Sequence, residues 1–471
     1  MIARDEVVEL KIDSLAFEGK AIARLDGYVV FVTGAVPGDV VRARITKSKR
    51  DYAEAKVVEI LSASPSRVTP RCDYFGVCGG CKWQHLEYTQ QLKYKRLHVV
   101  DALERTGGLK IDVADTVGAE DTYEYRNKLE FTFSDRPFRI KEIDTTQAAL
   151  GFHAPGRFDK VIDIDHCHLA DGKINEILNW FKKTIDPNSD YVSEMGLSIY
   201  NSNAHSGLLR FLTIRKSFAT NEYMVSLIVL EKDDRVERIA SDLRRDLAFV
   251  STFASIVNPT RAQVASGDFC KVHFGSGFIT EKIGGYSFRI SPLSFFQTNS
   301  VQAERLYDVT KEEIGKKCGT IFDLYSGTGS ISIFLSSLAD RIIGFELVES
   351  AVKDAAQNAA LNRVGNVSFV RTDLLDLFKG RNPLENFEQM NLPRPDVIVL
   401  DPPRSGLHPK ISSNLHLLSA ERIVYVSCNP MTQARDLKDI VSHGYRALHA
   451  RPVDMFPHTY HIENIVTLEK T

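Results

Sequence analysis

The sequence lacks what would mark a membrane, secreted or polyelectrolyte protein. No stretch approaches the roughly 18 apolar residues that a bilayer-spanning helix needs. The opening Met1-Ile2-Ala3-Arg4-Asp5-Glu6 has no apolar signal core. Cysteine is scarce, with seven residues unevenly spread, and an odd number argues against a secreted disulfide scaffold. Neither sign of charge dominates. Lys and Arg number 59 against 61 for Asp and Glu, a net charge of −2, which excludes a histone-like polycation but leaves room for a local basic face. There is no internal repeat and no low-complexity segment. These absences predict a cytoplasmic protein with no membrane association.

What is present is ordinary core material. The chain is 43% hydrophobic and 25% charged over 471 residues, enough for about three or four domains. The first sixty residues hold short segments rich in β-branched residues at 7–12, 28–32, 40–45 and 53–61. Turn residues such as Asp26-Gly27 and Pro37-Gly38 separate them, and so many short strands predict a small closed barrel that hides its edges. Lys47-Ser48-Lys49-Arg50 reads as a basic hairpin tip. Residues 62–70 are a linker by composition, and a helical stretch follows at about 85–105. A mixed α/β region spans about 123–286, with strands expected at 128–133 and 207–214.

From about Cys318 apolar strands and helices alternate, the signature of a doubly wound parallel sheet. Strands are expected at 320–325, 341–346, 367–371, 396–400, 422–427 and 465–468, with helices at 331–338 and 350–362. The predicted fold class is therefore multidomain α/β. Its parts are an OB-like β-barrel over 1–62, a central α/β domain over 63–290 and a Rossmann-like domain over 291–471.

Ligands of such sheets sit beyond the carboxyl ends of the strands, so the strand exits carry the chemistry. The first exit, Asp323-Leu324-Tyr325-Ser326-Gly327-Thr328-Gly329-Ser330, lets backbone amides approach a ligand. Glu346 ends the second strand, where a carboxylate can accept from a ribose diol. Nicotinamide enzymes use that device too, but Ile331 and Ser332 stand where their third glycine would be, and the turn also suits S-adenosylmethionine. Asp373 can meet an adenine amino group or cap a helix. The fourth exit is Asp401-Pro402-Pro403-Arg404, whose prolines stiffen the loop around Asp401. The fifth is Ser427-Cys428-Asn429-Pro430. A buried cysteine is usually a small hydrophobe, yet at a strand exit facing Asp401 it suits a nucleophile. Near the C-terminus, Glu463 in His458-Thr459-Tyr460-His461-Ile462-Glu463, ahead of the last strand, can serve as a base.

A second cluster is Cys72-x5-Cys78-Gly79-Gly80-Cys81, with Cys167 as a distant fourth thiol. Spacing puts zinc first with [4Fe–4S] also open, since Cys-x2-Cys is common in zinc sites and His166 and His168 flank Cys167. Cys270 and Cys318 have no evident role beyond packing.

Together these strings resemble the RNA uridine-5-methyltransferase family. The resemblance rests on Phe295-Phe296-Gln297-Thr298-Asn299, the turn at 323–329, the Asp401 and Cys428 exits and the Glu463 string. It extends to the barrel, which resembles a TRAM domain, and to the cysteine cluster. The nearest subgroup in architecture is the iron–sulfur 23S ribosomal RNA uracil-5-methyltransferases, because tRNA-specific relatives commonly lack both features.

The resemblance implies Cys428 as the nucleophile at uracil carbon 6 and Glu463 as the base that removes the carbon 5 proton. It implies Gln297, Tyr325, Glu346, Asp401 and, less directly, Asp373 as contacts to S-adenosylmethionine. It makes Cys72, Cys78, Cys81 and Cys167 the ligands of a [4Fe–4S] cluster. Phe295 is expected to stack on a flipped base and Phe296 to pack in the core. Ser326 departs from the cysteine that many relatives carry there. Arg67, Arg71, Lys82, Lys93, Lys95, Arg96 and Arg105, with residues 126–128, form a candidate RNA track; no protein partner is evident. The rival readings are a tRNA uridine enzyme, a cytosine-5-methyltransferase, and a binding protein that has lost catalysis.

Overall fold

The computed structural model describes residues 2–138, 148–186, 188–380 and 384–471. The N-terminal barrel is closed and five-stranded: Val7–Leu15, Ala21–Leu25, Tyr28–Thr33, Tyr52–Ser62 and Val40–Ser48 in spatial order. Alternation builds it. In Val40–Ser48, Val41, Ala43 and Ile45 face the core while Arg42, Arg44 and Thr46 face solvent. The second strand, unmarked in the sequence, is joined to the third by Asp26-Gly27. Both residues have positive φ (50° and 83°), as a tight right-twisting hairpin requires.

The segment read as a linker is strapped to the barrel. Buried Asp39 accepts from the amides of Val36 and Ser64 and pairs with the Arg67 guanidinium at 2.5 Å. Helix Tyr88–Asp101 follows and runs into a π-turn, Ala102–Gly107, ended by Gly108 at φ 67°. The central layer is a seven-stranded sheet in the order Phe269–Phe274, Val250–Val257, Tyr223–Val229, Leu209–Lys216, Lys128–Ser134, Ala149–Ala154 and Arg157–Asp163. Helices Gly172–Lys183 and Arg235–Asp246 bury Ile174, Ile177, Phe181, Ile239 and Leu243 against it.

The C-terminal sheet has eight strands, in the order Val367–Arg371, Ala339–Glu346, Cys318–Leu324, Val397–Leu400, Arg422–Ser427, Glu463–Lys470, Tyr445–Val453 and Asp112–Val113. The first five are parallel, as the βα alternation predicts. Four features correct the reading. The sheet is mixed, because Glu463–Lys470 runs antiparallel to both its neighbours. Glu463 opens that strand instead of preceding it, held opposite Val453. Tyr445–Val453 went unseen because a register shift between Ala447 and His449 breaks its alternation. Asp112–Val113 joins this sheet from upstream, so the chain crosses the boundary drawn at residue 290.

Candidate active site

The strand exits converge on one cavity of about 1200 Å³. At the first exit the backbone reverses through Tyr325, Gly327 and Gly329, all with positive φ. Gly329 is required there: a Cβ would come within 2.5 Å of the Phe369 ring and 3.0 Å of Ala355. Glu346 staples the second strand to this turn, accepting from the amides of Gly327 (3.0 Å) and Val348 (2.8 Å). Beneath it lies Asp323, fully buried, with the Ser332 hydroxyl donating to one oxygen and its Oδ1 unpartnered. Burial pushes that carboxyl up to about 6. Asp373 caps helix Leu374–Leu377 by accepting from the Leu375 amide at 2.8 Å, and it also borders the cavity.

Asp401, Cys428 and Glu463 face each other across this cavity. Burial, and next the charge of Asp323, raise Asp401 to about 7. Burial with the nearby Asp401 carboxylate pushes Glu463 well above the usual range. Burial first, then Glu463 and Asp401, push the Cys428 thiol up to about 12, with Arg404 pulling the other way. A thiol, two carboxyls that favour their protons and a Gly-rich nucleotide turn therefore share one enclosed space. Gln297, Tyr325, Glu346 and Asp373 line it as well, so the seven residues singled out from sequence for catalysis and cofactor contact all border one cavity.

Phe295 is 69% exposed at the wall while Phe296 is 4% exposed in the core. Sequence reasoning missed Tyr307, His461 and the true position of Arg126. Tyr307 is buried, lines the cavity and hydrogen-bonds the Ser330 hydroxyl at 2.8 Å. Arg126, read as part of a phosphate track, lines the cavity with its guanidinium 5.6 Å from the Phe456 ring and its Nε unpartnered. His461 lies beside Tyr460 and is held neutral by burial, its imidazole lowered to about 4. Only its place in the Glu463 string could have flagged it.

The rest of the basic track divides between internal and exposed residues. Lys95 is fully buried and paired with equally buried Asp454 at 2.5 Å. Arg67 serves Asp39, Arg96 donates to the Val113 carbonyl and Arg105 lies 3.3 Å from Asp101. Lys95, Arg67 and Arg96 are thus engaged within the protein, while Arg71, Lys93 and Arg105 are exposed. At the barrel tip, Lys47 pairs with Glu54 at 3.2 Å.

All seven cysteines are free. Cys270 packs beside Phe211 and Ile256, and Cys318 opens the first parallel strand. Cys167 lies close enough to the other three thiols of its group to feel their charge. Burial lifts Cys81 to about 12 and Cys167 to about 11, and each feels the charge of Cys78 and Cys72. Gly79 is crowded: a Cβ there would meet the His153 carbonyl oxygen at 2.8 Å. Among the described residues no group of three or more His, Cys, Asp or Glu is set to hold a metal ion. Four half-buried thiols that would repel one another as thiolates nonetheless suit a polynuclear cationic centre in donor chemistry.

A doubly wound sheet with this turn and this cysteine–carboxylate face, joined to a small barrel, defines a group-transfer enzyme that binds a nucleotide-like donor. The tRNA (uracil-5-)-methyltransferase family matches residues 87–471, and the TRAM domain matches residues 4–58. An uncharacterized RNA methyltransferase of Chlorobaculum tepidum is 41% identical over 99% of this chain and 97% of its own. One from Porphyromonas gingivalis is 39% identical over 98% and 99%. The crystal structure of Pyrococcus abyssi tRNA (uracil-54, C5)-methyltransferase in complex with S-adenosyl-L-homocysteine superposes with a TM-score of 0.74 at 28% identity, covering 98% of this chain and 100% of that one. The chain belongs to the tRNA (uracil-5-)-methyltransferase family, S-adenosylmethionine-dependent enzymes that act on RNA. Among the described residues no helix is long and apolar enough to cross a membrane.

Proposed function

We propose that this protein methylates carbon 5 of a specific uridine in 23S ribosomal RNA. The observation that carries the chemistry is the meeting of Cys428, Glu463 and Asp401 in the cavity bordered by the Gly-rich turn. Carbon 5 of uracil is a weak nucleophile. The Cys428 thiolate adds to carbon 6, forming a C–S bond and pushing electrons to carbon 5, which takes the methyl group of S-adenosylmethionine and releases S-adenosylhomocysteine. Glu463 then removes the carbon 5 proton, the double bond re-forms and the C–S bond breaks, returning the thiolate. Gln297, Tyr325, Glu346, Asp373 and Asp401 hold the methyl donor, and exposed Phe295 stacks on the flipped base. A cysteine and a carboxylate placed for both halves of this cycle speak against a binding protein without catalysis.

Cys72, Cys78, Cys81 and Cys167 are the residues that would hold a [4Fe–4S] cluster. If bound, such a cluster would offset part of the thiolate charge. The methyl transfer itself moves no electrons, so the cluster's part is structural.

The ribosomal target follows from resemblance in architecture. A second reading, tRNA, is favoured by the likeness over essentially the full length to an enzyme named for tRNA uracil-54. Labelled S-adenosylmethionine supplied with separate unmodified 23S rRNA, 16S rRNA and bulk tRNA decides between them. Label in 5-methyluridine of 23S rRNA alone is the expected result; label confined to tRNA replaces the target but keeps the chemistry. In the same assay Glu463→Gln should trap a protein–RNA adduct that survives denaturant. If no adduct forms, the base lies elsewhere.

A further inference from the structure

A second cavity, of about 510 Å³, adjoins the first and falls in the usual range for small-ligand sites, about 300–1,000 Å³. The two cavities share a wall. Arg126, Gln297 and Thr298 line the first; Tyr125, Asn299 and Gln302 line the second. The wall is pinned by Asn127, whose backbone amide donates to the Thr298 carbonyl (2.9 Å) and whose side-chain amide donates to the Gln297 carbonyl (2.9 Å) and the Ser300 hydroxyl (2.6 Å).

Three aromatic residues, Tyr123, Tyr125 and Phe218, line the second cavity. Tyr123 is held with the His458 ring 4.3 Å away at 34° and the Arg71 guanidinium 5.1 Å over its face. Phe218 lies with the Lys216 ammonium 4.6 Å from its centroid. The cations here are engaged: Lys216 pairs with Asp171 at 2.6 Å, and Arg71 lies 4.0 Å from Glu124. The rim carries exposed Glu120, Asp121 and Glu124. Three carboxylates repel phosphate, so this is not a backbone track. An aromatic wall beside carboxylates that only accept hydrogen bonds suits a base with donor groups on its edge. Guanine fits best, because its N1–H and amino group can donate to both oxygens of one carboxylate. Uracil has no amino group to offer.

We propose that this cavity receives an unpaired, amino-bearing base of the same RNA, a near neighbour of the uridine presented to Cys428. It is thus a subsite that reads the context of the target. The inference rests on the reading that the enzyme acts on a uridine in RNA.

The test uses the full-length enzyme and whichever transcript accepts label in the assay above. A photoreactive 6-thioguanosine is placed singly at each of the three positions on either side of the methylated uridine, and crosslinked peptides are mapped. One position is expected to crosslink to residues 119–125 or to Phe218. Phe218→Ala should lose that crosslink and raise KM for RNA about tenfold, with KM for S-adenosylmethionine unchanged. Asp121→Asn, at the exposed rim, should raise KM severalfold for RNA with guanosine at that position and not with uridine. Crosslinks that map elsewhere at all six positions, or an unchanged RNA KM in both variants, overturn the proposal. A wild-type enzyme that methylates no uridine overturns the functional reading instead, before any crosslink is sought.

Discussion

Cys428 is held as a thiol by its surroundings. Burial and the Glu463 and Asp401 carboxyls keep its proton on, raising the thiol to about 12. Only the thiolate attacks, so below that value the reactive fraction grows about tenfold per pH unit. Alkylation of Cys428 by iodoacetamide, followed by mass spectrometry on RNA-free enzyme, should accordingly be slow at pH 7 and rise with pH. Asp401→Asn removes a charge that Asp401 carries above about pH 7 and should speed alkylation severalfold there. Rapid, pH-independent alkylation near neutrality would contradict this electrostatic account. The same carboxyls cost stability. Asp401, at about 7, and Asp323, at about 6, lie above their unfolded value of about 3.9. Between roughly pH 4 and 7 the native state therefore holds protons that the unfolded chain has lost, and stability from these groups declines as pH rises through that window.

At the scale of elements, the segment leading into Glu463 is the most heavily anchored stretch of the site. Asp454 pairs with Lys95 of helix Tyr88–Asp101 and accepts from the Tyr88 hydroxyl (3.0 Å) and the Phe456 amide (2.9 Å). Gln91, on the same helix, accepts from the His458 amide at 2.9 Å. The His458 carbonyl accepts from Lys82 and Trp83. One helix thus fixes where the last strand begins. Lys95→Met should cost about 3–5 kcal/mol, because Asp454 is left buried and uncompensated. Urea unfolding followed by circular dichroism measures this, and a loss under 1 kcal/mol would show that the pair is dispensable. Adding Asp454→Leu to Lys95→Met should recover part of the loss.

The whole molecule is three layers locked at one junction. The barrel docks through Phe17, whose ring centroid lies 6.1 Å from that of Tyr460, and through Gly19, whose carbonyl accepts from the Trp83 indole at 3.2 Å. The central layer joins where residues 124–127 touch both the Cys167 loop and the cavity wall: Glu124 and Arg126 donate to the His168 and Leu169 carbonyls, and Asn127 to Thr298. Loss of the thiol centre should therefore be felt beyond it. Cys78→Ser with Cys81→Ser is expected to remove iron and acid-labile sulfide from anaerobically purified protein, together with its brown colour. Stoichiometric zinc in the wild type by metal analysis would replace the cluster by a zinc site.

The sequence by itself determined the barrel, from the inward alternation of residues such as Val41, Ala43 and Ile45, and the parallel sheet, from apolar strands ending in Gly-rich or Pro-rich exits. It also determined which side chains meet, because in a doubly wound sheet every strand exit opens onto one edge; Asp401, Cys428 and the turn at Gly327 needed only that rule. Tertiary structure alone decided what depended on distant partners. Lys95 and Arg67 read as surface cations until the fold paired them with buried Asp454 and Asp39. Arg126 entered the cavity because Asn127 is tied to a loop some 170 residues further on. Glu463 became the first residue of a strand because its hairpin partner, broken by a bulge, leaves no periodic trace in the sequence. Local pattern encodes which face of an element is buried, but the charge a residue will meet there is set by chain segments far away in sequence.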